Sequence, residues 1–331
     1  MRVTRRHLQV SLGALWLLDA ALQCQPVMFS GAFASKILSP AGDGQPSIVA
    51  EAVHWAATLA SASPVLANTG IVLIQIALGV GILSHRFTRM ALAASIAWAL
   101  VIWLLGEGLG GIVAGATLLT GAPGAALLYA VIAILAWPTA AHQGDCPPSR
   151  LALPAWCALW LLGAGLQLAA GNNSGTSFTM MLRTAQYGAP GWLGAIDRHA
   201  LRLQLPFWVA ACVVAVYVLV ATWSLVPGRT RDLSVGLGVA IALTGWILFQ
   251  GLGDPTSGHA TDPNSGPLIV LLALAVVGAT HPREAAAPSR GNHGSSSTPA
   301  VLASLSPPSR GVVPLHQPWS EPTHTVPESG Q

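Results

Sequence analysis

Apolar positions in this chain run together over whole helix lengths and do not alternate with polar ones. The runs His7–Met28, Thr69–Leu83, Met90–Leu105 and Ala125–Trp137 read as helices, since strands end after four to eight residues. Four more follow at Leu153–Ala170, Leu205–Val226, Leu233–Gln250 and Pro267–Ala279. Several approach the roughly 20 residues that cross a bilayer as helix. Two stretches differ. Ser47–Ala62 mixes Glu51 and His54 with apolar residues at helical spacing and predicts a helix lying in or against the membrane surface. Gly110–Gly124 is too short and glycine-rich for a full crossing, but apolar enough to dip into the bilayer where protein or a water-filled cavity shelters its backbone.

The pattern occurs twice. Trp103-Leu-Leu-Gly-Glu107-Gly-Leu-Gly110 returns as Trp246-Ile-Leu-Phe-Gln250-Gly-Leu-Gly253, and Leu15–Gln23 returns as Leu159–Gln167. The fold class expected is therefore an all-α integral membrane protein. About eight transmembrane helices form two parallel four-helix repeats, with short surface or re-entrant helices. The repeats take residues 1–140 and 153–280, and a cytoplasmic connector takes 141–152. Residues 281–331, rich in Pro, Ser and Gly without apolar periodicity, bury too little surface to offset their ordering entropy, and disorder is the expectation. An even number of crossings per unit makes the units parallel. Apart from Lys36, Arg183, Arg198 and Arg202, every basic residue falls on the side of the termini, which places both termini in the cytoplasm.

Composition agrees with lipid as the solvent: 53% of the 331 residues are hydrophobic and 8% are charged, against about 25% charged in soluble domains. The compartment expected is a bacterial-type inner membrane. The formal charge of +3 comes from short loops and ends, so no nucleic-acid partner is implied. Cys24, Cys146, Cys157 and Cys212 are far apart and form no CxxC pair. Thr4-Arg-Arg-His7 ahead of an apolar run has the look of an export signal. Its run, however, is the counterpart of the internal segment Leu159–Gln167, and retention is expected.

Intramembrane polar residues are the candidates for chemistry. Asp19 lies near the middle of the first run with Gln23 a turn further on the same face, and both have counterparts, Gly163 and Gln167. Asp19 is either a protonatable or cation-binding group in a cavity, or a hydrogen-bonding residue that holds helices together. Glu107 and Gln250 both follow a Trp at i−4 and precede Gly-Leu-Gly, beside the start of the next helix. They either serve a site or cap that turn. Gln75 completes the set. For a metal, Glu51 with His54 and Asp197 with His199 are weak candidates, being two residues per unit where a closed site needs four. No cofactor motif is present; phosphate-binding loop, H-E-x-x-H and nucleophile elbow are all missing.

Residues 70–94, Gly70-Ile-Val-Leu-Ile-Gln-Ile-Ala-Leu-Gly-Val-Gly-Ile-Leu-Ser-His-Arg-Phe-Thr-Arg-Met-Ala-Leu-Ala-Ala94, resemble the DoxX-like family of small four-helix membrane proteins. That family shows a glycine-bearing helix, a short basic turn and an Ala/Leu-rich helix. The resemblance implies a tandem pair of such units and, as one reading, a quinone-linked oxidoreductase subunit. No family catalytic motif carries across. The residues themselves favour a non-enzymatic small-solute permease, or an accessory subunit with a partner in a membrane complex or a second copy of the chain.

Overall fold

A computed structural model describes residues 3–138, 146–169, 171–185, 189–200 and 208–280, with backbone alone for 196–200. The described residues carry no strand. In order, the helices are α1 (Arg5–Gln23), α2 (Ser47–Ala62), α3 (Pro64–Leu83), α4 (Thr88–Leu105), α5 (Ala125–Leu135), α6 (Ala152–Leu168), α7 (Gly175–Ala185), α8 (Gly191–Ala200), α9 (Trp208–Trp223), α10 (Arg229–Leu248) and α11 (Ser265–Thr280). All described residues belong to one compact unit, Met1–Arg283. The expected disorder of residues 281–331, the first five residues of the connector and the start of the sixth expected crossing lie outside the described residues.

Helix ends follow local chemistry. Thr4 and His7 form a reciprocal capping box at the start of α1. Arg6 then reaches across to the carbonyls of Ile82 and Leu83, satisfying the free end of α3, and Arg5 donates to the carbonyl of Trp137 beyond α5. These two arginines tie helix ends together. The helix expected from Thr69 begins five residues earlier, because Pro64 at its first turn has the right φ and lacks only an N–H that would be unpaired anyway. α10 starts at Arg229, directly after Gly228 at φ 84°. The long polar segment Gly171–Arg202 contains α7 and α8, whose three- and four-residue apolar spacing outweighs their low overall hydrophobicity.

Among the described residues, three helices, α3, α4 and α10, are long and apolar enough to cross a membrane. α5, α6, α9 and α11 are apolar but shorter. α1 packs most closely on α3 and α6 on α9, while α5 and α11 lie against each other at the centre. Both central helices are apolar all round and almost entirely buried, as helices enclosed by others must be. Close approach of α1 and α3 depends on glycine: a Cβ at Gly79 would sit 2.7 Å from Leu17 Cγ and 2.9 Å from the Gly13 carbonyl.

Candidate functional site

One cavity, of about 330 Å³, gathers much of the buried polarity. α1 contributes Trp16, Asp19 and Gln23, spaced so that they share a face. Gln75 comes from α3, Trp98 from α4 and Tyr129 from α5; Glu107 follows α4; Trp55 and Leu59 line it from α2. Thr261 and Asp262 reach it from the loop before α11, so one wall comes from the far end of the sequence. That loop is held by Gln25, whose side chain donates to the Ala260 carbonyl at 3.1 Å.

Trp16 fixes the floor. Its Nε1 donates to Ser95 Oγ at 2.8 Å, and its ring lies 4.5 Å from that of Tyr129. The Tyr129 hydroxyl lies within reach of the Asp19 carboxyl, although neither it nor Asp19 Oδ1 makes a hydrogen bond of good geometry. Gln23 Oε1, Gln75 Oε1, Trp98 Nε1 and Glu107 Oε2 are also buried and unpartnered. Such atoms normally find partners within the protein, since each buried and unpaired one costs about 1–3 kcal/mol.

Glu107 has a structural task as well. Its Oε1 accepts from the Ala126 amide at 3.0 Å, at the N-terminus of α5, where free amides and the helix dipole favour an anion. Trp103 Nε1 donates to the Pro123 carbonyl at 2.7 Å just ahead of that helix. Asp262 is satisfied locally: Oδ1 accepts from the Asn264 amide and Oδ2 from the Thr261 hydroxyl. Burial raises its carboxyl above the ordinary aspartate range, partly offset by these two bonds.

Four of the six intramembrane polar candidates, Asp19, Gln23, Gln75 and Glu107, line this cavity. The other two do not. Gln167 donates to the Asn172 carbonyl at 2.5 Å. Gln250 donates to the Leu119 carbonyl at 3.0 Å and accepts from Ser265 Oγ at the start of α11. Glu51 and His54 are exposed on α2, and no group of three His, Cys, Asp or Glu among the described residues could hold a metal. The side chains of Asp197 and His199 lie outside the described residues. Reading the sequence missed Tyr129, Trp98, Thr261 and Asp262. Tyr129 had a signal, being a phenol in an otherwise aliphatic helix. Asp262 had one too, in Thr261-Asp-Pro-Asn264, a turn and cap signature.

A second, shallower basin of about 380 Å³ lies next to the first and shares Thr261 and Asp262 with it. Lys36, Asp254 and His259 are among its walls. Asp254 takes a left-handed turn at φ 53°, and burial pushes its carboxyl up to about 6. No protein-family model, curated protein or solved structure matches this chain.

Proposed function

We propose that the chain is a permease for a small solute, with eight crossings in two parallel four-helix units and the cavity as its solute site. The observation that carries the reading is the set of unpartnered buried polar atoms on Asp19, Gln23, Gln75, Trp98, Glu107 and Tyr129 around one mostly apolar space. Binding sites have this composition, apolar walls with a few convergent polar groups. The twofold plan is supported by recurring contacts: Trp246 Nε1 donates to the Pro263 carbonyl at 2.7 Å, as Trp103 does to that of Pro123.

α5 spans only about 17 Å at 1.5 Å per residue, short of the roughly 30 Å hydrocarbon layer. The glycine-rich stretch ahead of it completes the crossing, with Thr117, Leu118 and Ala122 buried among helices. Exposed apolar side chains such as Ile48, Leu66, Leu73 and Met90 face lipid. Both termini are cytoplasmic in this reading, as the arginine bias requires. Phosphatase activity from a fusion near Gly42 and none from a fusion after Arg290 is the expected result.

The quinone-linked alternative also has an observation in its favour: Trp98 Nε1 and the Tyr129 hydroxyl are free to bond a ring carbonyl within apolar walls. Two-sided labelling separates the readings. With Cys24, Cys146, Cys157 and Cys212 replaced by Ala or Ser, Ala126→Cys places a thiol in the cavity. A permease exposes it in turn to each side, so a membrane-impermeant maleimide should label it in right-side-out and in inverted vesicles. Labelling from one side only would overturn the permease and leave the subunit reading.

A further inference from the structure

The hydrogen-bonding groups of the cavity are out of balance. Asp19 Oδ1 and Glu107 Oε2 are buried acceptors with no donor. The amides of Gln23 and Gln75 can turn either end inward, so they meet whatever is offered. Trp98 Nε1 is an unpartnered donor, and the Tyr129 hydroxyl can act either way. Tyr129 can serve Asp19 alone, so a ligand that satisfies both carboxyls brings N–H or O–H groups of its own.

A positive charge on that ligand would let the carboxyls ionise. None of the described lining residues is Lys, Arg or His, although three acids, Asp19, Glu107 and Asp262, line the space. Buried carboxylates are stable when a cation and hydrogen bonds meet them together. Aromatic walls fit that cation: Trp16, Trp55, Trp98 and Tyr129 all line the cavity, and ring faces attract ammonium groups. The remaining walls are aliphatic, from Ile71, Val101 and Ile102 among others, which suits an apolar body more than a bare metal ion. The volume lies at the low end of the ~300–1,000 Å³ range of ligand pockets, enough for a small molecule. Trp55 and Leu59, on the rim, are 60% and 54% exposed, so the opening borders the outer apolar face of α2.

We infer that the cavity takes a small protonated amine with an apolar body, its N–H groups on the Asp19 and Glu107 carboxyls and its body against the rings and α2–α4. The solute class rests on the permease reading, but binding can be tested by itself. Phenylbutylamine, phenylbutanol and phenylbutyrate share one body and differ in head group. Titrated into the full-length protein in nanodiscs near neutral pH, with tryptophan fluorescence as readout, the amine should bind at least about tenfold tighter than the alcohol, and the carboxylate more weakly still. Asp19→Asn and Glu107→Gln should each remove most of that preference, in protein shown to be folded by its elution profile and melting curve.

Equal binding of alcohol and amine, preference for the carboxylate, no binding of any of the three, or an amine preference untouched by both variants would each overturn the inference. A strong amine preference with Ala126→Cys labelled from one face alone would overturn the permease and keep the ligand class. Two-sided labelling without amine preference would do the reverse.

Discussion

Where the first half of the chain keeps acids around a space, the second half fills the matching places. Asp19 borders the cavity, whereas its sequence counterpart Gly163 is packed so tightly that a Cβ would lie 2.8 Å from Leu118 and 3.3 Å from Tyr217. Glu107 leaves Oε2 unpartnered; Gln250 uses its amide at both ends, on Leu119 and Ser265. Gln23 borders the cavity, while Gln167 lies away from it and donates to the Asn172 carbonyl, although the Oε1 of each is buried and unpartnered. Matching helix pairs, α1 on α3 and α6 on α9, thus border a chamber in the first half and pack closely at Gly163 in the second.

The sharpest way to break this contrast is to give the second half the first half's acid. Gly163→Asp adds overpacking of about 1–3 kcal/mol to an unpaired buried charge worth several more, and should abolish recovery of folded protein. Normal yield and melting temperature would mean that the second half has room of its own. Gln250→Glu removes the donor to the Leu119 carbonyl and should cost about 1–3 kcal/mol. The reciprocal Glu107→Gln keeps the bond from Ala126 and should lose under about 1 kcal/mol of charge–dipole stabilisation. Thermal melts of both proteins in detergent compare the two exchanges.

Trp103→Phe and Trp246→Phe probe what the halves share. Each leaves a proline carbonyl without its donor, so each should lower stability by about 1 kcal/mol, and a clear inequality would count against their equivalence.

The smallest expected effect is pH-dependent and concerns Asp254, whose counterpart is Gly111; both take the left-handed turn. Because burial raises the Asp254 carboxyl to about 6, ionising it opposes folding. Its contribution is most favourable below the ordinary aspartate pKa and is lost as pH rises through about 6. For a fully enclosed group the change would be ~2–3 kcal/mol, and solvent on the open side reduces it to about 1 kcal/mol. Asp254→Asn, which also tolerates the turn, should remove this slope from a stability profile between pH ~4 and ~7.

Much of the architecture could be read from the chain. Ser47–Ala62 is a helix from its first expected residue to its last, and Ala125 begins α5 where Pro123 and Gly124 predict a start. The errors came where local signals competed. Hydropathy placed the start of α3 at Thr69, but Pro64 set it. For the site, polarity inside apolar runs identified the side chains that cannot face lipid, and four of the six surround one cavity. Nothing in the order of residues could show that Thr261 and Asp262 complete its wall, since that contact depends on how distant segments pack.

Gln25 and Ala260 are 235 residues apart in sequence, yet their bond holds the loop that closes the first half's chamber. Under the proposed duplication, the copies are therefore no longer spare parts for each other. The loop at 260–262 belongs to the second copy, yet it walls a compartment to which the first copy contributes Asp19 and Glu107. Such a debt makes the duplication hard to reverse. Descendants that shed the second copy would need to evolve another wall.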